Sequence, residues 1–257
     1  MKIFVCIKQV PDTETKIKIA ADGKSIDTSA VKWVMNPYDE YAVEEAIKMR
    51  DASAGSQVFA VTAGPKKRAG EVLRTALAMG ADEGILIDLP EDADPFTTAK
   101  ALAAAIKQEG DFQAIFTGKL AIDDNASAVS QMVAEFLSIP HATVVSKLSA
   151  NPEGFLIERD IEGGAKEIIQ MRAPAVIAAN KGLNMPRYAS LPGIMKAKKK
   201  VLKELDLAGL GLGMNNKTKT ISLQMPPEKP PAKLMSGDVD QQISALVKAL
   251  HEEAKVL

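Results

Sequence analysis

Four short apolar runs, separated by stretches with helical spacing, constrain this chain more than any other feature. Ile3–Ile7, Val58–Thr62, Ile85–Ile87 and Ala114–Thr117 are each bounded by polar or turn-forming residues. Such runs read as buried strands. Between them, apolar residues recur at three and four. Asn36-Pro37 opens a helix with Ala42, Val43, Ala46, Ile47 and Met49 on one stripe. Asn is a favourable N-cap and Pro fits the first helical position. Asp39, Glu40, Glu44 and Glu45 lie early in that helix, where its dipole favours anions. Val72, Leu73, Ala76 and Leu77 mark a second helix, and Thr97–Glu109 an alanine-rich third. Val129, Met132, Val133 and Phe136 mark a fourth. Strand and helix alternating with short connections predict a doubly wound, mainly parallel sheet with helices on both faces.

After Pro140 the pattern changes. Thr143–Leu148, Phe155–Arg159, Glu167–Met171 and Ala175–Ala179 follow one another with turns between them, at Asn151-Pro152-Glu153-Gly154 and Glu162-Gly163-Gly164. They read as strands added to the sheet, partly antiparallel. From Lys181 the chain is rich in Gly, Pro and Lys, including Leu210-Gly211-Leu212-Gly213 and Pro226-Pro227…Pro230-Pro231. That composition predicts an extended arm, not a second core. A last amphipathic helix, with Val239, Ile243, Leu246, Val247 and Leu250, is expected to dock on a partner surface. The expected division is an α/β domain over residues 1–181 and an arm over 182–257.

Composition excludes several classes. The formal net charge of -1 leaves no global basic excess for nucleic acid, and 4% aromatic residues supply few base-stacking surfaces. One cysteine excludes an intramolecular disulfide or an all-cysteine metal site. No charge-free stretch reaches the roughly 18 residues of a membrane span. The start, Met1 to Lys8, is charged too soon for a signal peptide, so a cytoplasmic location is expected. The loop after the first strand, Lys8-Gln9-Val10-Pro11-Asp12, has no glycine fingerprint, and Gly118-Lys119-Leu120 lacks the hydroxyl of a P-loop. His251-Glu252-Glu253 lacks the second histidine of a zinc protease helix. Cys6, inside the first strand, reads as a small core hydrophobe.

In an open parallel sheet ligands bind beyond the carboxyl ends of the strands. Four segments meet that condition: Cys6–Gln9, Asn36–Asp39, Ala63-Gly64-Pro65 and Gly118–Ala128. Gly118 allows close backbone approach, and the free N–H groups of the helix start that follows suit a phosphate. Read on spacing alone, plain loops with an Asp cap fit equally well.

Together these segments resemble the β subunit of an electron-transfer flavoprotein, over essentially the whole chain. The most specific stretch is Asn184-Met185-Pro186-Arg187-Tyr188-Ala189-Ser190-Leu191-Pro192-Gly193-Ile194-Met195-Lys196, continued by Ala197-Lys198-Lys199-Lys200. Met35-Asn36-Pro37-Tyr38-Asp39, Arg74–Asp82, Gly118–Asp124 and Glu158–Gly164 support it. The resemblance implies an electron-carrier subunit, not an enzyme, in a heterodimer with an α subunit that holds most of the FAD. It implies flavoprotein dehydrogenases, such as acyl-CoA dehydrogenases, as donors and a membrane quinone oxidoreductase as acceptor, without membrane insertion.

It further implies a structural AMP held by Cys6, Asn36, Pro37, Tyr38, Asp39, Ala63 and the loop Gly118, Lys119, Leu120, Ala121, Ile122, Asp123, Asp124, Asn125, Ala126, Ser127, Ala128 and Val129. Arg187, Tyr188, Ala189, Ser190, Leu191, Pro192, Gly193, Ile194, Met195 and Lys196 correspond to the family's partner-recognition loop, anchored by Leu191. Asp160 corresponds to a position facing the α-subunit flavin. Bifurcating members, which bind a second FAD in place of AMP and oxidise NADH, carry a glycine and a proline where this chain has Asp124 and Gln131. Those departures favour AMP, although Val10-Pro11-Asp12-Thr13 resembles the bifurcating type. A free-standing adenine-nucleotide enzyme or sensor on the same fold is the rival from another class.

Overall fold

The structure is a computed structural model that describes residues 1–151, 153–229 and 231–257. The chain runs β1 (Lys2–Cys6), β2 (Gln9–Pro11), β3 (Trp33–Met35), α1 (Pro37–Asp51), β4 (Gln57–Gly64), α2 (Lys66–Met79), β5 (Glu83–Asp88), α3 (Pro95–Gln108), β6 (Ala114–Gly118) and α4 (Val129–Leu137). It continues through β7 (His141–Asn151), β8 (Gly154–Asp160), β9 (Lys166–Met171), β10 (Ala175–Ala179), α5 (Leu191–Lys199), β11 (Lys203–Asp206) and α6 (Val239–Lys248). Pro152 of the predicted 151–154 turn and Pro230 of the proline-rich stretch lie outside the described residues.

One sheet has the order β11-β5-β4-β1-β6-β10-β7-β8-β9. Pairing is parallel from β11 through β7 and antiparallel across β7–β8 and β8–β9. The predicted α/β class holds. The period of two in β1 shows how the layers form. Ile3 and Val5 enter a core with residues of α1 and α2, while Phe4 and Cys6 enter another with residues of α3 and α4. Each side chain the size of Leu73 or Ile106, both fully buried, contributes roughly 1.5–3 kcal/mol of transfer free energy.

The region beyond residue 181 departs from the arm expected there. Residues 191–199 are helical, with Ser190 as N-cap accepting from Gly193 N at 3.1 Å. β11 returns to the sheet beside β5, and Leu210 is buried with Leu205 and Leu212 packed in the same cluster. Arg74 fixes α5 from below, donating to the carbonyls of Ala197 and Lys200. The sheet therefore crosses the expected boundary at 181. Between β11 and α6, residues 207–237 form turns and extended chain without helix or strand, the undescribed Pro230 aside, and Asp94 ties the stretch around 217 to α3 through Lys217 N and Thr218 N. The amphipathic C-terminal helix is confirmed, capped by Asp238 and Gln241. Its Val239, Ile243, Leu246 and Val247 remain exposed within this chain. No helix among the described residues is long and apolar enough to cross a membrane.

A small ribbon sits outside the main sheet. β2 pairs antiparallel with β3 in the register Gln9↔Met35 and Pro11↔Trp33. Between β2 and β3 the chain forms a single bridge, Ile19↔Ile26.

Candidate functional site

The sheet order reverses at β1: β4 and β5 lie on one side of it, β6 and β10 on the other. Helices leaving β1 and β6 diverge to opposite faces there, which opens a crevice at the carboxyl ends of the two strands. A cavity of about 380 Å³ occupies that place. It is lined by Cys6–Gln9 after β1, Thr62–Pro65 at the end of β4, and Thr117–Ala121 with Asp123, Asp124 and Ala126–Ser130 after β6.

The crevice is built around Asp39, which is buried in the first turn of α1. Its Oδ2 accepts from Lys8 N at 2.6 Å. Its Oδ1 accepts from Gly118 N at 3.0 Å and Asn36 Nδ2 at 2.8 Å. One carboxylate thus ties together the exits of β1 and β6. Burial pushes the Asp39 carboxyl up to about 7, while the Lys8, Asn36 and Gly118 donors pull the other way. Gly118 is required by packing: a Cβ there would collide with Asp39 Oδ1 and lie 2.7 Å from Tyr38 Cβ.

Asn36 differs from its predicted role. Its side chain caps no helix N–H. Instead it donates to Leu120 O at 2.8 Å and accepts from Ile122 N at 3.2 Å. It buckles the loop after β6 to the start of α1. That loop bends sharply through Asn125 and Ser127, at φ 51° and 47°, conformations that cost a non-glycine residue energy. Ser127 Oγ donates to Lys119 O at 3.0 Å and Ala126 N to Asp124 Oδ1 at 3.0 Å, which holds the bend.

Lys8 crosses to the same loop, with Nζ 2.8 Å from Asp123 Oδ2 and 3.2 Å from Asp124 Oδ2. Burial opposes its charge, but Asp123 and Asp124 hold its pKa above the ordinary lysine value. Cys6 is buried, and burial, reinforced by the charge of Asp39, pushes its thiol up to about 12. It is a neutral wall group and not a nucleophile.

Two buried hydroxyls in the cavity lining, Thr117 Oγ1 and Ser130 Oγ, have no hydrogen-bond partner in the chain. Buried polar atoms are nearly always satisfied. Ser130 lies in the first turn of α4, where backbone N–H groups have no intrahelical acceptor. Unpaired donors of two kinds therefore belong to the lining of one space, and a phosphate or sugar hydroxyl is a group that could satisfy them.

The structure brings Cys6, Asn36, Asp39 and Ala63 to the cavity with Gly118–Ala121, Asp123, Asp124 and Ala126–Val129. Pro37, Tyr38, Ile122 and Asn125 are not part of the lining. Tyr38 packs on Gly118, and its ring lies 4.9 Å below Lys119 Nζ. Thr117 and Ser130 were missed, although each adjoins a predicted segment. Gln9 closes the predicted Cys6–Gln9 segment, whereas Trp33 and Arg68, which also line the cavity, were missed because no local pattern marks them.

Asp160 lies outside the cavity. It accepts from Ser146 Oγ at 2.8 Å and Asn180 Nδ2 at 2.9 Å. The Ser146 bond first, then Asn180, Lys166 and Lys119, hold its carboxyl below the usual range. Tyr188, Leu191 and Met195, none of which lines the cavity, are exposed at 98%, 79% and 65%. Arg187, with its side chain 40% exposed beside them, has its guanidinium engaged by Glu44.

Comparison with known proteins now bears on this geometry. Residues 24–210, which contain β3 through β11, match the electron transfer flavoprotein domain. A protein of Bacillus subtilis (strain 168), the electron transfer flavoprotein subunit beta, is 43% identical over 100% of both chains. The chain belongs to the electron transfer flavoprotein β-subunit family. The mitochondrial electron transfer flavoprotein subunit beta of Oryza sativa subsp. indica is 39% identical, again over the whole of both chains. The Homo sapiens electron transfer flavoprotein subunit beta is 38% identical, with 89% of this chain and 90% of that one covered. The family match extends through α5 and β11, so the helical segment from Leu191 belongs with the flavoprotein fold and not with a variable arm. Among the described residues no cluster of His, Cys, Asp or Glu is arranged to hold a metal.

Proposed function

We propose that the chain is the β subunit of a heterodimeric, cytoplasmic electron carrier, with AMP bound in the cavity between β1 and β6. The α subunit holds FAD, which supplies the electron-transfer chemistry. The observation that carries the nucleotide assignment is the pair of unpartnered hydroxyls, Thr117 Oγ1 and Ser130 Oγ, beside the open first turn of α4.

The residues present fit that group. Gly118–Val129 and the first N–H groups of α4 suit a phosphate, and Thr117 and Ser130 supply hydroxyls for phosphate or ribose. Cys6, Ala63 and Leu102 give apolar wall. Asn36 and Asp39 hold the loops in place without pointing charge at the phosphate. One position supports AMP over a second FAD. Asp124 carries a carboxylate where bifurcating relatives have glycine, and that carboxylate is engaged by Lys8 Nζ and Ala126 N.

Electron transfer needs proximity and stable docking, not an acid or base. The chain's part is to hold its nucleotide, present Asp160 toward the α-subunit flavin, and offer Tyr188–Lys196 to a flavoprotein dehydrogenase such as an acyl-CoA dehydrogenase. A quinone oxidoreductase accepts the electrons. Acid release of nucleotides from the purified αβ pair tests the reading. One AMP and one FAD per pair are expected; two FAD without AMP would replace it with the bifurcating one.

A further inference from the structure

The cavity has a buried floor and a solvent-facing rim. Thr117, Ser130 and Asp39 on the floor are each under a tenth exposed. On the rim, one guanidinium holds three separate segments together. Arg68, near the start of α2, sits over Trp33, with its Cζ 3.9 Å from the ring centroid. Its Nη1 donates to Gln9 Oε1 at 3.0 Å, and its Nη2 pairs with Glu91 in the connection between β5 and α3. Gln9, Trp33, Arg68 and Glu91 all line the cavity. The Arg68 side chain is 26% exposed and that of Glu91 61%, so this cluster sits where the cavity meets solvent.

The ribbon of β2 and β3 shares no ladder with the main sheet, so side-chain contacts carry much of its attachment. Arg68 supplies stacking, a neutral hydrogen bond and an ion pair to that attachment at once. A planar five-donor fork suits such a role, where a lysine could satisfy one partner at a time. Both terminal nitrogens and the ring face are already engaged within the chain. Arg68 is therefore occupied as a link and is not a free anion receptor.

We propose that Arg68, with Trp33 and Glu91, is a clasp that sets how fast the nucleotide leaves the cavity. The inference rests on the nucleotide reading above. When the clasp opens, the ribbon and the β5–α3 connection separate and the floor becomes reachable. When it closes, the bound molecule is sealed beneath it. The clasp changes exchange rate in both directions and leaves the floor contacts, hence the choice of nucleotide, unaltered.

Trp33 is the sole tryptophan, so the clasp reports on itself. The full chain is loaded with radiolabelled AMP and chased with unlabelled AMP, and acrylamide quenching of Trp33 is measured alongside. Arg68→Met keeps the aliphatic stem and removes the fork. It should release label at least tenfold faster and raise the quenching constant at least twofold, with Kd for AMP within about threefold of wild type. Glu91→Gln should accelerate release about threefold. A melting temperature close to wild type confirms that the fold survives. Release from Arg68→Met within twofold of wild type overturns the clasp whatever the quenching shows. If the wild-type chain retains no AMP, the nucleotide reading falls, and quenching alone then decides the clasp: a twofold rise supports it and an unchanged constant overturns it.

Discussion

Glu44, buried in α1, receives the guanidinium of Arg187 as a fork: Nε lies 2.8 Å from Oε2 and Nη2 3.0 Å from Oε1. The Arg187 backbone N–H adds a third bond to Oε2, at 3.1 Å. One helical step on, Glu45 Oε2 accepts from Asn184 Nδ2 at 2.8 Å. Two acidic residues of α1 thereby anchor the segment that leads into α5. The same helix carries Asn36 at its N-cap and Asp39 in its first turn, so one rigid element positions both the cavity wall and the exposed Tyr188–Met195 face.

Removing one partner of a buried pair strands the other. Glu44→Ala should lower stability by about 2–3 kcal/mol, below the range for a fully buried pair because Arg187 is partly exposed. For a chain of this size that is a fall in melting temperature of roughly 4–12 °C. Hydrogen exchange should speed up in α5 before it does in β1. Protection in α5 equal to wild type would show that Arg74 alone holds the helix.

Asn36→Ala removes the side-chain bonds to Asp39, Leu120 O and Ile122 N in one change. The loop after β6 should loosen while the sheet stays intact. Affinity for AMP, measured by calorimetry on the full chain, should fall about tenfold to a hundredfold, the equivalent of about 1.4–3 kcal/mol. A melting temperature lowered in the AMP-bound form but little changed without nucleotide would place the effect on the loop. Unchanged affinity would remove Asn36 from the site.

Asp94 gives a pH-dependent tether. Partial burial raises its pKa, but the N–H groups of Thr97, Lys217 and Thr218 outweigh this and hold it at about 2. A carboxyl depressed in the folded state stabilises above its unfolded value, near 4, and loses that contribution as pH falls toward 2. The full effect is about 2 kcal/mol. Acid unfolding should steepen between pH 4 and 2, and Asp94→Asn should flatten that part of the curve. Proteolysis of residues 213–229 should begin in the same window. Identical acid curves for the two proteins would deny Asp94 this role.

Leu191 and Met195 stand one turn apart on the open face of α5. If this face seats a dehydrogenase, Leu191→Ala should weaken that complex by about 2 kcal/mol, mostly through faster dissociation. Neutralising Lys198 and Lys199 should instead slow association and flatten its salt dependence. Nucleotide content should stay normal in both, since neither position lines the cavity. Stopped-flow reduction at several salt concentrations separates the two effects, and a wild-type rate for Leu191→Ala at sub-saturating partner returns the face to plain solvent exposure.

Local pattern in the sequence determined the alternating main-sheet strands and helices of the first 140 residues, though not the β2–β3 ribbon, because strands buried on both faces and helices with one apolar stripe leave a periodic trace in hydrophobicity. The loops at the strand ends were legible for the same reason, as punctuation between those runs. Tertiary structure alone decided what has no local trace. β11 reads Lys-Glu-Leu-Asp, and an edge strand of that kind needs only main-chain bonds and one inward Leu205, with charges that guard the open edge. Asn36 looked like a helix cap, yet loop carbonyls and N–H groups from more than eighty residues away claimed its amide. Arg187 looked like a surface contact until Glu44, 143 positions distant, took its guanidinium. Trp33, Arg68 and Glu91 are unremarkable in sequence and become a unit only where three segments converge. A polar side chain has no periodicity to betray its partner. Which donor meets which acceptor is settled when the sheet brings distant strand ends together and burial makes an unpaired group costly.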